Sequence, residues 1–597
     1  MNSPTYSLRS LLQSFEKRPI RLWLFSIVWV GLACGIAFVW QLGTTGLVDE
    51  TEPLFAEAAR QMTVTGDWVT PYFNGATRFD KPPLIYWLMA IAYHLIGVNE
   101  WAVRLPSALS AIALTVFGFL TLQRFAVLPQ FSADAVESTR LQPHQQRWLV
   151  AWMGAALMAF NLQTILWART GVSDMLLSGC VGMALMAFFW GYTEPSDSQA
   201  KPRWYLAFYG LLALAVLTKG PIGVVLPGLA IALFLVYVGQ FRAVLREMRL
   251  WQGALIFLGL TLPWYILVTL ANGDAFIDAF FGYHNFQRFT RAVNNHKAPW
   301  FFYFGVVLVG FAPWSIYLPA AIARLRVWRS SYWRQQPRTA HLSVFALSWF
   351  IAVFGFFTIA ETKLPSYVLP LIPAAAMLVA MLWGEAMGRL HLSRGVWISS
   401  LFTIGFLAIL AVGIAVSPQW LSGDPAMPNF PAIAQQSGIL IGGAVILAIA
   451  ALVQLILLLR QQGRWLWLVN IAAIALFMLF TAMPFMSLID AQRQLPLRQL
   501  AAIAIQQKQP TEQLIMVGFP KPSLVFYTQL PITYVIHTEN LATWLRRPYR
   551  FRRNVPTSVL VVGLPRKLKE LNLQPDEFTT LQQSGAYELI RVKQPLE

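Results

Sequence analysis

Long apolar runs separated by short polar stretches recur between residues 21 and 487. A bilayer core of about 30 Å needs about 20 apolar residues in a helix. That length predicts spans at 21–42, 101–124, 148–167, 172–192, 204–217, 221–239, 250–270, 301–322, 343–360, 367–388, 397–416, 437–459 and 466–487. The first of these has no small-residue cleavage site after it, so it is expected to be a retained span and not a removed signal peptide. After Leu488 the pattern changes. The β-branched stretches 513–519, 532–536 and 558–562 are separated by Pro, Gln and charged residues, which predicts a small soluble α/β domain over 488–597 beyond a transmembrane domain over 1–487. Within the polar stretch 43–100 two more helices are expected. One starts near Pro53, carries Leu54, Phe55, Ala58, Ala59 and Met62 on one face, and stops at Gly66-Asp67, with Glu52 as its cap. The other, Leu84–Ile96, is apolar but too short to span. Both would lie at headgroup depth.

Composition agrees. The chain has 597 residues, 57% hydrophobic and 12% charged, with a mean hydropathy of +0.54, against about 25% charged for a soluble protein. This excludes a soluble enzyme, a disordered chain and, with two cysteines, a disulfide scaffold. The net charge of +18 would suggest nucleic acid in a soluble protein, but here the positions of Lys and Arg matter more than their sum. With the N-terminus inside, every inner segment carries basic residues, from Arg18 and Arg21 through Arg242, Arg246 and Arg249 to Arg460 and Arg464. The outer loop 417–437 carries none. This predicts a cytoplasmic N-terminus and a C-terminal domain on the outer face. No nucleic-acid partner is expected.

The polar residues that a simple connector would not need then fall on the outer face. They are Asp49-Glu50-Thr51-Glu52, Asp80-Lys81-Pro82-Pro83, Arg169 to Asp174, Thr218-Lys219-Gly220-Pro221, His284 to Phe289, and Thr362 to Tyr367. A charge at membrane depth is costly and marks function. Lys81, Lys219, Lys363 and Arg288 suit a cationic nest for a phosphate-like leaving group. Asp49, helped by Glu50, suits a proton acceptor. Tyr86 and Tyr367, with Trp68, Tyr72, Trp87 and Trp300, suit the flanks of a sugar, and equally an interfacial belt. Alternatives stay open at this level: Arg169 and Asp174 as a local ion pair, His284 and Arg288 as the polar face of a surface helix, and the whole cleft as that of a lipid transporter. Transporters commonly carry internal repeats with broken helices, and no repeat is evident. ATP and nucleotide sugars are absent outside the cytoplasmic membrane, so an energy-rich substrate there must come on a lipid.

Asp49-Glu50-Thr51, Phe55-Ala56-Glu57, Gly66-Asp67-Trp68, Asn74-Gly75, Lys81-Pro82-Pro83-Leu84-Ile85-Tyr86-Trp87 and Asn99-Glu100-Trp101-Ala102-Val103-Arg104-Leu105-Pro106 resemble the first periplasmic loop of the aminoarabinose transferases of lipid A. These sit within the wider group of dolichyl-phosphate-mannose–protein mannosyltransferase-like enzymes. Ser173-Asp174, Lys219-Gly220-Pro221, His284 to Phe289 and Lys363 to Tyr367 continue the resemblance, which covers roughly residues 20–390. It implies a polytopic α-helical membrane protein of GT-C type, with about 13 transmembrane helices and a periplasmic α/β domain, in a bacterial inner membrane. It implies sugar transfer from a polyprenyl (undecaprenyl) phosphate donor to a lipid A-like, glycan or protein acceptor, the last as in a protein O-mannosyltransferase. On the matching positions it implies catalysis by Asp49, phosphate binding by Lys81, a second acidic site residue in Asp174, and roles for His284 and Arg288. Two departures bear on a divalent metal ion, for which Asp80 and His284 are the candidate ligands. The family's Glu before the lysine is Asp80 here, and its Glu before the histidine is Tyr283.

Overall fold

The structure is a computed structural model that describes residues 19–127, 141–287, 297–389, 391–538, 541 and 558–593. Each predicted apolar segment is helical, and length and apolarity single out most, not all, of the thirteen as spans. Among the described residues nine helices are long and apolar enough to cross a membrane, or eleven if each of two bent pairs is one span. The segments 204–217 and 221–239 make the difference. They form Ala200–Lys219 and the 17-residue Ile222–Val238, and neither is both long and apolar enough. The turn between them, at Gly220 with φ of +77°, needs a residue free of a Cβ penalty.

The bends have local causes. Pro143–Ala159 and Leu162–Ala168 meet at 60° because Asn161 leaves the ladder. Its Oδ1 accepts from Thr164 N–H at 2.9 Å while its Nδ2 donates to the Leu157 and Met158 carbonyls. Phe302–Gly310 and Trp314–Ala323 meet at 112° around Pro313, which has no N–H to continue the helix. Without water to drive association, helices in lipid close on small residues. A Cβ on Gly179 would lie 2.0 Å from Ser110 Oγ, and one on Gly154 would lie 2.0 Å from a Leu122 methyl.

Between the first and second spanning helices, Pro19–Val39 and Glu100–Phe125, the chain forms the two expected helices, Thr51–Thr65 and Leu84–Ile96. Gly66, with φ of +73°, ends the first, and its N–H reaches the Met62 carbonyl. A two-residue hairpin, β1 (Tyr72–Phe73) and β2 (Ala76–Thr77), joins them. The expectation that Glu52 caps the first helix fails. Glu50 stands at the cap position, and Glu52 is buried in an ion pair.

The last apolar helix runs unbroken past residue 488 to Arg493, and Leu495–Gln507 follows it. The C-terminal sheet has the order β4-β3-β5-β7-β6. Strands β3 (Leu514–Val517), β4 (Ile532–Val535) and β5 (Ser558–Gly563) are parallel, and β6 (Phe578–Ser584) and β7 (Tyr587–Lys593) add an antiparallel hairpin. Alternate side chains bury opposite faces. Leu514, Met516, Leu560, Val562 and Leu589 pack with Leu497, Leu500 and Ala504, whereas Ile515, Val517, Val559, Val561 and Ile590 pack with Leu568 and Leu571.

This domain sits on the loop 43–100. Asn74, at the hairpin tip, exchanges a pair of 2.8 Å hydrogen bonds with the Ile532 backbone on the edge strand β4. Tyr527 Oη accepts from Leu47 N–H and donates to Glu100. Asp490 accepts from Gly46 N–H and pairs with Arg498.

Candidate active site

The loop before Thr51–Thr65 is held by one buried pair. Arg104 donates Nε and Nη2 to the two oxygens of Glu52 at 2.8 and 3.0 Å. Its remaining bonds go to the carbonyls of Leu42, Thr45 and Gly46 at 2.8–2.9 Å and to the Thr45 hydroxyl at 3.2 Å. Glu52, 1% exposed, also accepts from the N–H groups of Val48 and Gly171. A carboxylate and a guanidinium so deeply buried are tolerated because every polar direction is matched. The pair fixes residues 42–52 against the turn that precedes Asp174.

Asp49 projects from that fixed loop, and Ser523 of the C-terminal domain binds both of its oxygens. The Ser523 N–H donates to Oδ1 at 2.8 Å and its Oγ–H to Oδ2 at 2.7 Å. Burial pushes the Asp49 carboxyl up from its usual range, while Ser523 and the charges of Lys521 and Arg493 pull the other way. Glu50, its neighbour, is exposed.

Next along the chain, Asp80 gathers two cations. Lys81 Nζ lies 2.7 Å from Oδ1 and Arg78 Nη2 2.9 Å from Oδ2. Across the cleft, Lys219 Nζ meets Asp174 Oδ1 at 2.8 Å and stands 5.4 Å from the centre of the Tyr367 ring. Asp174 is thus paired with Lys219 and not with Arg169, whose Nη2 reaches the Gln41 carbonyl. Burial, with the nearby Arg104 charge, lowers Arg169 to about 10.

Two cavities meet at these groups. The larger, about 940 Å³, is lined by Asp49, Glu50, Arg78, Arg104, Arg169, Arg493 and Lys521 among others. The smaller, about 550 Å³, is walled by Leu177, Ile222, Val225, Phe280, Phe281, Phe356 and Phe357. Asp80, Lys81, Asp174, Lys219, Ser366 and Tyr367 line both. The polar loops near 49, 80, 170, 219 and 366, far apart in sequence, therefore converge at one end of the helices.

Two expected site residues stand elsewhere. Lys363 donates to the carbonyls of Thr358 and Ala360 at 2.8 and 2.7 Å, closing the end of Leu342–Ile359, and it lines neither cavity. Tyr86 is fully buried against Phe55, ring centres 5.5 Å apart, and also lines neither. The His284 side chain and Arg288 lie outside the described residues. His284 belongs to a π-helical segment, Asp278–Gln287, whose Phe280 and Phe281 do reach the apolar cavity. Of the two candidate ligands for a divalent metal ion, only the Asp80 side chain is described. Asp80 faces two cations, and no group of three or more His, Cys, Asp or Glu suited to a metal occurs among the described residues.

Sequence reasoning passed over Arg78, Arg493, Phe519, Lys521 and Ser523, all at or beside the polar cavity. Only Arg78 carried a local signal, two residues before Asp80. The tail residues reach Asp49 through tertiary structure alone.

An apolar cavity opening onto buried carboxylates and cations at one end of a polytopic bundle, with a mixed α/β domain over them, is the GT-C type of membrane fold. The resemblance drawn from the sequence holds. Over 380 residues the chain is 30% identical to the undecaprenyl phosphate-alpha-4-amino-4-deoxy-L-arabinose arabinosyl transferase of Shewanella sediminis, covering 63% of this chain and 62% of that one. Over 373 residues it is 31% identical to the enzyme of the same name from Aeromonas salmonicida, covering 62% of each. The match thus spans just under two thirds of these curated relatives' length. Residues 80–128 match the dolichyl-phosphate-mannose-protein mannosyltransferase model, and residues 507–596 match the cyanobacterial RgtA-type glycosyltransferase C-terminal domain. The fold is similar to ArnT from Cupriavidus metallidurans bound to undecaprenyl phosphate, with a TM-score of 0.74 at 22% identity over 95% of this chain and 98% of that one.

Proposed function

We propose that this protein is a membrane glycosyltransferase that moves a sugar from a polyprenyl phosphate to an acceptor hydroxyl at the outer face of a bacterial inner membrane. The observation that carries the reading is the junction of an apolar cavity with a polar one at Lys81, Asp174, Lys219 and Tyr367. A donor with a long hydrocarbon tail and a charged, sugar-bearing head needs both environments side by side. The distribution of Lys and Arg supports a cytoplasmic N-terminus, with the site and C-terminal domain periplasmic.

In this reading the isoprenoid tail lies along Phe280, Phe281, Phe356 and Phe357, and the phosphate rests near Lys81 and Lys219. The acceptor oxygen attacks the anomeric carbon, the bond from that carbon to the phosphate oxygen breaks, and polyprenyl phosphate departs. Asp49 takes the acceptor's proton. The ammonium groups balance the charge that builds on the leaving phosphate in a partly dehydrated cleft. The relatives' names make an undecaprenyl-linked aminoarabinose the first donor to try, and the resemblance makes a lipid A-like acceptor its counterpart.

The test uses membranes that contain the protein and a polyprenyl phosphate carrying a radiolabelled sugar, with label followed into lipid, glycan and protein fractions. Wild-type membranes release label from the carrier, and Asp49→Asn membranes, with equal insertion, do not. Label that crosses the bilayer still on its carrier, in both, would mark a transporter and refute the proposal.

A further inference from the structure

The C-terminal domain reaches the cleft with Phe519 and Lys521, and through Ser523 it binds Asp49 directly. Ser523 is fully buried, and its two donors take one oxygen each of Asp49. A bidentate grip of this kind fixes a carboxylate in rotation as well as position. An ionised carboxylate has about four lone-pair sites, so the grip leaves room for an acceptor hydroxyl. The surroundings hold Ser523 firmly. Tyr527, four residues on, ties the same short helix, Pro522–Thr528, to Leu47 and Glu100, and Asn74 fastens the neighbouring strand β4 to the hairpin tip. Asp49 is therefore held from two sides, by the Glu52–Arg104 pair beneath its loop and by a residue 474 positions away above it.

We infer that Ser523 is a positioning residue for Asp49, so that the C-terminal domain completes the transferase site. The inference rests on the transferase reading given above. A serine that merely filled space would leave the titration of Asp49 alone, whereas a hydrogen bond to the ionised form favours that form. Other charged groups facing Asp49 are Lys521 and Arg493. Arg493 is itself 3.5 Å from Asp424, while Tyr534 and Tyr587 feel the Asp49 charge from the sheet. None of these is altered by truncating Ser523.

The experiment uses the full-length protein in proteoliposomes, with labelled polyprenyl-phosphate sugar as donor. Ser523→Ala and Ser523→Thr are compared for kcat, donor KM and the pH dependence of kcat/KM, and thermal unfolding checks integrity. Ser523→Ala should lower kcat about tenfold or more with donor KM unchanged, and should move the acidic limb upward by about one pH unit. Ser523→Thr, which keeps a hydroxyl, should restore most of both. Should Ser523→Ala fail to fold, Ser523→Cys, close in size but a weak donor, should show the same loss and the same shift. A folded Ser523→Ala (or Ser523→Cys) with wild-type kcat and acidic limb overturns this inference while leaving the transferase reading intact. A wild type that transfers no sugar overturns that reading and this inference with it.

Discussion

Arg104→Met is the most informative single perturbation of the molecule. Methionine can occupy much of the volume of the arginine stem but leaves Glu52, 1% exposed, with only the Val48 and Gly171 N–H groups as partners. It also strips the carbonyls of Leu42, Thr45 and Gly46 of their donor. Removing one partner of a buried pair costs about 3–5 kcal/mol, because the other charge stays behind. At about 1.4 kcal/mol per factor of ten, the equilibrium of the loop that carries Asp49 should shift toward opened forms by about 10²–10⁴-fold. Transfer by purified protein should fall by a similar factor, and thermal unfolding in detergent should drop by several degrees. The double variant Glu52→Leu/Arg104→Met removes both charges, so it should recover part of the lost unfolding temperature. An Arg104→Met protein with normal activity and unfolding temperature would refute the argument. So would a double variant less stable than the single one.

The lysines should separate by function. Lys81→Ala should raise the apparent donor KM by about tenfold or more, as for loss of a charge-assisted contact, while Lys363→Met should leave donor KM within about threefold and lower only the unfolding temperature. Equal effects on donor KM would contradict the assignment of Lys363 to the helix end. Because burial raises the Asp49 carboxyl above its ordinary 3.8, the acidic limb of kcat/KM should lie above the usual aspartate range. The same shift means that the folded chain holds this proton more tightly than the unfolded one. Its contribution to stability therefore falls as pH rises from the unfolded value through the folded one. Unfolding of Asp49→Asn followed across that window should lack this component.

Much of the architecture was legible because lipid imposes a length and an apolarity that sequence cannot hide. The helices of the loop 43–100 were equally plain, since Gly66 and the Pro82-Pro83 pair punctuate them. The exact count of spans is the least sharply defined part of that pattern. Ala200–Lys219, with its polar first turn, and the 17-residue Ile222–Val238 fall at the margin of the length and apolarity that mark a crossing. Strands β6 and β7 escaped notice because β6 is a largely exposed edge, Phe-Thr-Thr-Leu-Gln-Gln-Ser, with little apolar alternation. At the site, Lys81, Asp174 and Lys219 stood out as charges beside apolar runs. Lys363 had the same signature, and only the fold reveals that backbone carbonyls use its ammonium. Glu52 looked like a helix cap because it precedes Pro53, and its partner Arg104 lay in a motif without an evident task. Ser523 and Lys521 had no local mark at all.

The separation of 474 positions between Asp49 and Ser523 has a consequence for biogenesis. Asp49 emerges well before Ser523, which follows it by 474 positions. At about 5–20 residues per second, roughly half a minute to a minute and a half passes between them. By the later part of that interval the residues of the apolar cavity, up to Pro370, have been made, while Asp49 still lacks its contact with Ser523. If Ser523 positions Asp49 as proposed, a nascent chain can embed itself among the lipids without acting on the carriers that diffuse past. On that proposal competence arrives with the C-terminal domain, so the order of synthesis itself delays reactivity.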